Sequence, residues 1–221
     1  MSAAKGKVLT MGQRYYENLT PMQLDALREI GNIGSGNAAT ALSDMLCHPV
    51  TIGVPRIQMV DYNAAVENLG GPEQLLVGIL LSLSGDVTGM MLFLLRREFA
   101  HMVLNTLTGS SLDENGVTDP MSQSAIAEVG NIMAASYVNA LASLTGLDIN
   151  ISTPSVCIDM AGALLSVPAI YYANISDYMF LIEDDFNHSD GSSSSRMFLI
   201  PEEDGLQKIM ESLGLDTWSR Q

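Results

Sequence analysis

The most restrictive feature of this 221-residue sequence is that it repeats itself. Residues Glu29–Pro55 align without a gap on residues Glu128–Pro154, and residues Leu92–Gly109 resemble residues Met197–Gly214. Self-similarity of this kind indicates a duplicated structural unit. Two such units, each with one apolar face, can bury those faces by joining into one sheet around a pseudo-twofold axis.

Each half begins with the same helix-start signal and continues with the same order of elements. Thr20-Pro21 and Asp119-Pro120 each place an N-cap residue before a proline at the first helical position. Pro55 falls inside a predicted strand, which implies an edge strand or a bulge there. The predicted helices cover about residues 20–47, 96–107, 120–144, 158–164 and 206–213. The predicted strands cover about residues 50–60, 75–83, 87–95, 148–156, 165–173, 178–183 and 197–201.

These elements predict an α/β fold of the α+β type. Two helix–strand–hairpin–helix units are expected to share a mainly antiparallel sheet, with two long helices lying on it. Residues 1–19 show no sustained periodicity and are expected to be a flexible lead-in. Residues 20–221 are expected to form a single domain of two repeats, residues 20–110 and 119–215. The polar, Ser-rich residues 188–196 are expected to form a solvent loop.

Composition argues against several classes of partner and location. The formal net charge is −15, so nucleic acids and anionic membrane surfaces would repel the chain. Apolar runs such as Leu75–Leu83 are too short to span a bilayer, and the first residues show no signal-peptide pattern. Cys47 and Cys157 lack metal or redox spacing, which fits a reducing cytoplasm.

The same polar residues recur on both predicted long helices. They lie at positions i, i+4 and i+7, within about 60° of one helical face. Polar residues on a single helix are usually solvent-facing and without function. Here the set occurs twice, and a proline follows each copy after the same interval, so a functional role is favoured. The residues are Asp25, Glu29 and Asn32 with Pro55, and Ser124, Glu128 and Asn131 with Pro154.

An acid and an amide one helical turn apart suit a particular kind of chemistry. A carboxamide both donates and accepts hydrogen bonds, so it can hold and orient a water molecule. In phosphoryl transfer the protein mainly positions groups, and an amide that orients the attacking water is a recurrent solution. A carboxylate on the same face can bind a cation of a partner. The pattern therefore favours a helix that enters the active site of another protein.

These residues form the pattern (Asp/Ser)-x3-Glu-x2-Asn-x22-Pro, twice. In this the chain resembles the CheC/CheX/FliY family of chemotaxis phosphatases, and the stretch EIGNIGSGNAATALS resembles CheC in particular. The likeness covers about residues 20–215. It implies a phosphatase that hydrolyses the aspartyl phosphate of a CheY-type response regulator.

The resemblance also implies a role for each signature residue. Asn32 and Asn131 would orient the hydrolytic water, and Glu29 and Glu128 would pair with a regulator lysine. The four remaining positions, Asp25, Pro55, Ser124 and Pro154, would support the motif. No cofactor is implied for this chain, because the Mg²⁺ would belong to the regulator.

A second partner is implied by the segment after the second signature. CheC proteins dock the receptor deamidase CheD through a short helix there, and residues Pro154–Ser166 occupy that place, with Asp159 as the expected acidic anchor. An ordinary amphipathic core helix is the alternative. The main task could then be that of a CheD-binding adaptor with secondary phosphatase activity. A structural role related to the flagellar switch proteins FliM and FliY is a third, less favoured reading.

Two other features are not expected to be sites. Gly31, Gly34 and Gly36 resemble a phosphate-binding loop, but the second repeat keeps only Gly130, so close helix packing is favoured. The three histidines fall in different elements, and the acidic run at residues 183–185 is expected to be a solvated rim, so no metal is assigned. Because the pseudo-twofold pairing is internal, a monomer is expected.

Overall fold

The computed structural model describes residues 19–112, 119–172, 178–188 and 191–215. The predicted lead-in, apart from Leu19, lies outside these residues, as do two residues of the predicted Ser-rich loop. The helices are α1 (Pro21–Leu46), α2 (Tyr62–Asn68), α3 (Arg97–Thr108), α4 (Pro120–Thr145), α5 (Ala161–Tyr172) and α6 (Glu203–Ser212). The strands are β1 (Thr51–Ile52), β2 (Arg56–Asp61), β3 (Leu75–Gly85), β4 (Gly89–Leu95), β5 (Ile149–Ile151), β6 (Ser155–Met160), β7 (Tyr178–His188) and β8 (Gly191–Pro201).

The two longest helices begin at the predicted caps. Thr20 and Gln23 form a capping box before α1, in which the Thr20 hydroxyl accepts from the Gln23 amide and the Gln23 side chain accepts from the Thr20 amide. Asp119 caps α4 by accepting from the amides of Met121 and Ser122. Each helix has 26 residues and a proline in its first turn.

The eight strands of the described ranges form one antiparallel sheet. The order along it is β1-β7-β8-β4-β3-β5, with β2 also paired to β7 and β6 also paired to β3. Strands β1 to β4 of the first half correspond to β5 to β8 of the second. When each strand is exchanged for its counterpart, the order of strands in the sheet reads the same from the opposite edge, as a pseudo-twofold axis requires. The strand pairs β2–β7 and β3–β6 join one half to the other, and β4 pairs with β8 at the centre. The predicted fold class is confirmed, and the two halves exchange strands.

Helices cover both faces of the sheet. The larger hydrophobic core includes residues of α1, α3, α4 and α6 on one face, and the smaller core includes residues of α2 and α5 on the other. The central strand β4 contributes side chains to both cores, because Phe93 lies in the larger core and Leu92 in the smaller core. A strand buried on both faces reads as a continuous apolar run rather than an alternating one, as Gly89–Leu95 does. None of the helices in the described ranges is long and apolar enough to cross a membrane.

Four predicted details of secondary structure were wrong. Residues 165–172 of the predicted strand belong to helix α5, which begins at Ala161, and residue 173 lies outside the described residues. The helix predicted from residue 158 begins three residues later, because Ile158 lies in β6. Helix α2 was not predicted. The Ser-rich stretch from Gly191 to Arg196 is part of β8, paired with β7, and is not a loop.

Tertiary packing explains these differences. Val167, Pro168 and Ile170 disfavour a helix locally, but Leu164 and Leu165 of the same helix are buried on the second face of the sheet. Gly78 of β3 makes room for this packing, because a Cβ there would overlap Leu164. Such burial outweighs local propensity.

Candidate functional site

The signature residues lie on the solvent-facing sides of α1 and α4. Glu29, Asn32 and Glu128 are exposed, and Asn131 is half-buried. Asp25 and Ser124, at the first position of each signature, are also exposed. Both acid–amide pairs are therefore accessible to a protein-sized partner, as the hypothesis of an inserting helix requires.

The opposite sides of the two helices pack closely on the sheet. Gly31 lies against Ile57 of β2, and Gly130 lies against Ile79 of β3, so closely that a Cβ at either glycine would overlap the isoleucine. These two glycines directly precede Asn32 and Asn131. Close backbone packing thus holds the turn that carries each amide, and the expectation of close helix packing is confirmed for Gly31.

The two helices also pack against each other. Gly34 lies against the ring of Tyr137, and the Tyr137 hydroxyl lies 2.7 Å from the Ser35 hydroxyl in a buried hydrogen bond. At Gly36, by contrast, an added Cβ would have nothing within 4 Å. Because α1 and α4 are in direct contact, both signatures belong to one layer of the molecule.

Each signature proline lies at a bulge in an edge strand. Between β1 and β2, the four steps from Ile52 to Arg56 face only three steps from Phe186 to Glu183 on β7, so this edge carries one extra residue. Pro55 lies in this break and is half-buried. The prediction of an edge strand or a bulge at Pro55 is thereby confirmed.

The second repeat has the same irregularity. The four steps from Ile151 to Ser155 face three steps from Leu83 to Leu80 on β3, and Pro154 lies in the break. A proline lacks the N–H that a regular ladder would use, so the bulge accommodates it. The two prolines thus occupy equivalent places, at the start of the strands that follow the signature helices.

The surroundings of the two signatures differ. Asp25 forms an exposed ion pair with Arg28, in which the nitrogen–oxygen distance is 2.7 Å. At the equivalent positions of α4 the chain has Ser124 and Ala127, which cannot form such a pair. This ion pair was not predicted, although opposite charges at i, i+3 spacing on a helix are a usable signal.

Asp159 lies in strand β6 and not in the helix that was expected to present it. It is exposed, and its carboxylate accepts a hydrogen bond from the Met160 amide at 2.8 Å. Strand β6 pairs with β3 along one edge, and helix α5 begins directly after it. The expected anchor is therefore accessible, but it precedes the helix.

The surroundings of Cys157, which include the Asp159 carboxylate, shift the pKa of its thiol. Partial burial and the negative charge of Asp159 raise the pKa of Cys157 above its ordinary value of 9.0. The Cys157 thiol therefore stays protonated at neutral pH and is a poor nucleophile.

The acidic run at residues 183–185 is not simply a solvated rim. Glu183 has a side chain that is only 10% exposed, and its carboxylate lies 2.7 Å from the Arg196 guanidinium in a close charge pair whose N–H is not aligned for a hydrogen bond. Arg56 lies 3.5 Å from Glu183 and 3.6 Å from Asp185. Within the described ranges no three side chains of His, Cys, Asp or Glu are grouped as metal ligands.

Solved structures with the same architecture define the class of fold. FliY from Thermotoga maritima superposes with a TM-score of 0.69 over 89% of this chain and 98% of that chain, at 24% identity. The middle domain of FliM from H. pylori superposes with a TM-score of 0.66 over 88% of this chain and 99% of that chain, at 10% identity. The fold is thus the one that flagellar switch proteins share.

Sequence comparison is more specific. The family model described as the CheC-like family matches residues 22–59 and 121–158, which contain both signatures. The CheY-P phosphatase CheC of Bacillus subtilis (strain 168) is 32% identical over 204 residues, covering 90% of this chain and 97% of that protein. The flagellar motor switch phosphatase FliY of the same organism is 27% identical over 143 residues, covering 63% of this chain and 36% of that protein. The chain belongs to the CheC-like family.

Proposed function

We propose that this protein is a phosphatase that hydrolyses the aspartyl phosphate of a CheY-type response regulator. The observation that carries the proposal is the Glu-x2-Asn pair on the solvent-facing side of both long helices, exposed on α1 and with Asn131 half-buried on α4. It occurs in a chain that is 32% identical, over nearly its whole length, to a protein named a CheY-P phosphatase. An exposed pair on a rigid helix suits entry into the phosphorylated site of a partner.

In the proposed mechanism, the amide of Asn32 or Asn131 binds the attacking water and orients it so that a lone pair of the water oxygen points at phosphorus. The water oxygen forms a bond to phosphorus while the bond to the aspartyl oxygen breaks. The products are the free aspartate carboxylate and inorganic phosphate, which retains the protons of the water. The helix contributes positioning, because a side chain held at the correct geometry removes much of the entropic cost of the reaction.

The carboxylates of Glu29 and Glu128 have a binding role in this proposal. Each would pair with a lysine of the regulator and so fix the amide, about one helical turn away, over the phosphate. The Mg²⁺ that screens the phosphate is assigned to the regulator, and this chain is proposed to need no cofactor of its own. Because the regulator is a cytoplasmic signalling protein, we also assign the phosphatase to the cytoplasm.

Phosphate release from a phosphorylated CheY-type regulator tests the proposal. The double variant Asn32→Ala/Asn131→Ala is expected to lose stimulated hydrolysis by on the order of 10²-fold, as for other groups that position reacting atoms. Each single variant is expected to retain part of the activity. The circular dichroism and thermal midpoint of the double variant are expected to match those of the wild type, because Asn32 is exposed and Asn131 only half-buried.

The chain offers a matched control for this experiment. Asn37 and Asn139 are exposed amides on the same two helices outside the signatures. The double variant Asn37→Ala/Asn139→Ala is expected to keep full activity. Full activity in the signature double variant would contradict the catalytic role of the two amides. The same result would leave a purely structural role, like that of a switch-complex domain, as the better explanation of the fold.

A second function is favoured by the surface next to Asp159. We propose that β6 and α5 bind a deamidase of the CheD type, because an exposed carboxylate at the end of β6 is followed directly by a helix with exposed apolar side chains. Val167 is 49% exposed and Ile170 is 76% exposed, although both belong to a helix that is otherwise apolar and packed on the sheet. An apolar patch beside a charge is a common form of protein-binding surface.

A pull-down with CheD distinguishes this function from the phosphatase activity. Asp159→Lys is expected to weaken binding, because it reverses the proposed anchor charge, while phosphate release in the absence of CheD stays unchanged. Asp44→Lys is the matched control, since Asp44 is an exposed acid on α1. Equal CheD binding by the wild type and Asp159→Lys would remove Asp159 as the anchor.

A further inference from the structure

Two exposed methionines lie at the start of the signature helices. Met22 is 66% exposed and Met121 is 67% exposed, so neither contributes its side chain to a core. They are also equivalent in the repeat, since each is the second residue of its helix. A single exposed apolar side chain needs no explanation, but two at the same position of both repeats do.

Comparison of the two helices shows that these methionines have been kept while several other exposed positions have changed. Three pairs of exposed, equivalent residues have different side chains in the two copies. These pairs are Asp25 and Ser124, Thr40 and Asn139, and Asp44 and Ser143. Met22 and Met121 are identical, as are Glu29 and Glu128. The methionines are thus the same in both repeats, as the signature acids are, whereas the first position of the signature (Asp25 and Ser124) and two exposed positions outside it have changed.

Helix formation does not account for the methionines. The caps are Thr20 and Asp119, whose side chains accept hydrogen bonds from amides of the first turn, and a proline occupies the next position in each helix. A polar residue at the second position would serve the helix equally well. The retained apolar side chain therefore points to a contact outside this chain.

The position of the methionines relative to the signature suggests which partner they contact. Met22, Glu29 and Asn32 are separated by seven and three residues, so they lie on one face of α1. The rise from Met22 to Asn32 is about 15 Å. A standard protein interface of about 800 Å² per partner extends over such a distance. A regulator seated on Glu29 and Asn32 would then also cover Met22.

We propose that Met22 and Met121 dock the phosphorylated response regulator, each inserting into an apolar depression beside the phosphate-bearing site. This inference rests on the proposed phosphatase function. Methionine suits the role because its side chain is flexible and apolar and adapts to irregular surfaces. The other proposed partner surface includes α5, which packs on the smaller core on the opposite face of the sheet. The partner expected to contact Met22 and Met121 is therefore the regulator and not the deamidase.

Docking and chemistry can be separated kinetically. The double variant Met22→Gln/Met121→Gln is expected to raise the KM for the phosphorylated regulator by about 5-fold, a typical effect of removing an apolar interface contact. Because neither methionine is near the reacting atoms, kcat is expected to stay within about 2-fold of the wild-type value. Met22→Leu/Met121→Leu is expected to restore the wild-type KM. Affinity for the regulator loaded with beryllofluoride is expected to fall in parallel.

Leu144→Gln is the matched control, since Leu144 is an exposed apolar residue near the other end of α4. It is expected to leave KM and kcat unchanged. Single methionine substitutions combined with Asn32→Ala or Asn131→Ala, which each leave one signature intact, would then show which signature each methionine serves.

The possible results are separable. An unchanged KM in the glutamine double variant, with activity still lost in Asn32→Ala/Asn131→Ala, would overturn the docking role and leave the phosphatase function intact. A lowered thermal midpoint, or a fall in kcat at constant KM, would also overturn it, since both indicate a different role. Absence of phosphate release by the wild type would overturn the phosphatase function and the docking role together.

Discussion

At the scale of single residues, the two signatures share their functional groups and differ in their surroundings. Asn32 is exposed, whereas Asn131 is half-buried. Arg28 pairs with Asp25 beside the first signature, and Ala127 takes its place beside the second. Surface ion pairs of this kind contribute at most about 1 kcal/mol to stability. The difference therefore contributes little to the stability of the fold.

The N-cap residue of α4 leads to a prediction about pH. The pKa of Asp119 lies below its ordinary value of 3.8, because of the nearby Ser122 hydroxyl and the backbone amides of Ser122 and Met121. The hydroxyl has no aligned hydrogen bond, so the two amides, whose nitrogens lie 2.9 and 3.0 Å from the carboxylate, are the firm contacts. A lowered folded-state pKa means that the stabilisation is fully present above the ordinary pKa. It is lost as the pH falls through the folded-state pKa.

Asp119→Asn tests this, because asparagine is an equally good N-cap and does not titrate. The difference in thermal midpoint between wild type and Asp119→Asn is expected to stay constant from pH 7 to about 5. Below about pH 4 the thermal midpoint of the wild type is expected to fall relative to that of Asp119→Asn. A difference that does not vary down to pH 3 would contradict the assignment of the lowered pKa.

At the scale of elements, the glycines of α1 explain how this helix packs. Gly31 and Gly34 face the sheet and the twin helix, and Gly36 faces open space. Each glycine inside a helix costs about 1 kcal/mol relative to alanine. The first two glycines offset this cost by allowing close approach to Ile57 and to the Tyr137 ring. The sequence pattern favoured such packing but could not name the contacts.

These glycines lead to a paired prediction. Gly34→Ala is expected to destabilise the protein by about 1 to 2 kcal/mol, because the strain of overpacking against the rigid Tyr137 ring exceeds the gain in helix propensity. Gly36→Ala is expected to stabilise it by up to about 1 kcal/mol, since nothing lies within 4 Å of the added methyl group. Chemical denaturation measures both. Equal effects of the two changes would show that helix propensity alone decides them.

At the scale of the whole molecule, the exchange of strands is the main architectural feature. Strand β2 of the first half pairs with β7 of the second, and β6 of the second pairs with β3 of the first. Neither half can therefore complete its edges alone, and unpaired edges are unstable or prone to aggregate. The expectation of a monomer stays a prediction, which light scattering can test.

This exchange leads to a prediction about folding. The chain is expected to unfold in one cooperative thermal transition, with equal calorimetric and van't Hoff enthalpies, because each half supplies strands to the other. A fragment of residues 119–221 is expected not to fold by itself. Two separate transitions, or a folded fragment, would contradict the expectation that residues 20–221 form a single domain.

The sequence alone determined the features that depend on repetition and local chemistry. The duplication predicted one shared sheet, the Thr20-Pro21 and Asp119-Pro120 pairs marked the starts of both long helices, and the bulge at Pro55 followed from its missing N–H. The signature residues Glu29 and Asn32 were found because the second repeat keeps them. All of these depend on spacing or on the covalent structure of single residues, and both can be read from the sequence.

Only the tertiary structure decided the features that depend on distant contacts. Helix α5 replaced a predicted strand because Leu164 packs above Gly78, 86 positions earlier in the chain. The Ser-rich part of β8 became a strand because β7 pairs with it along its whole length. The exposure of Met22 and Met121 also became visible only in the fold. Burial and strand pairing are decided by which segments meet in space, and local sequence does not contain that information.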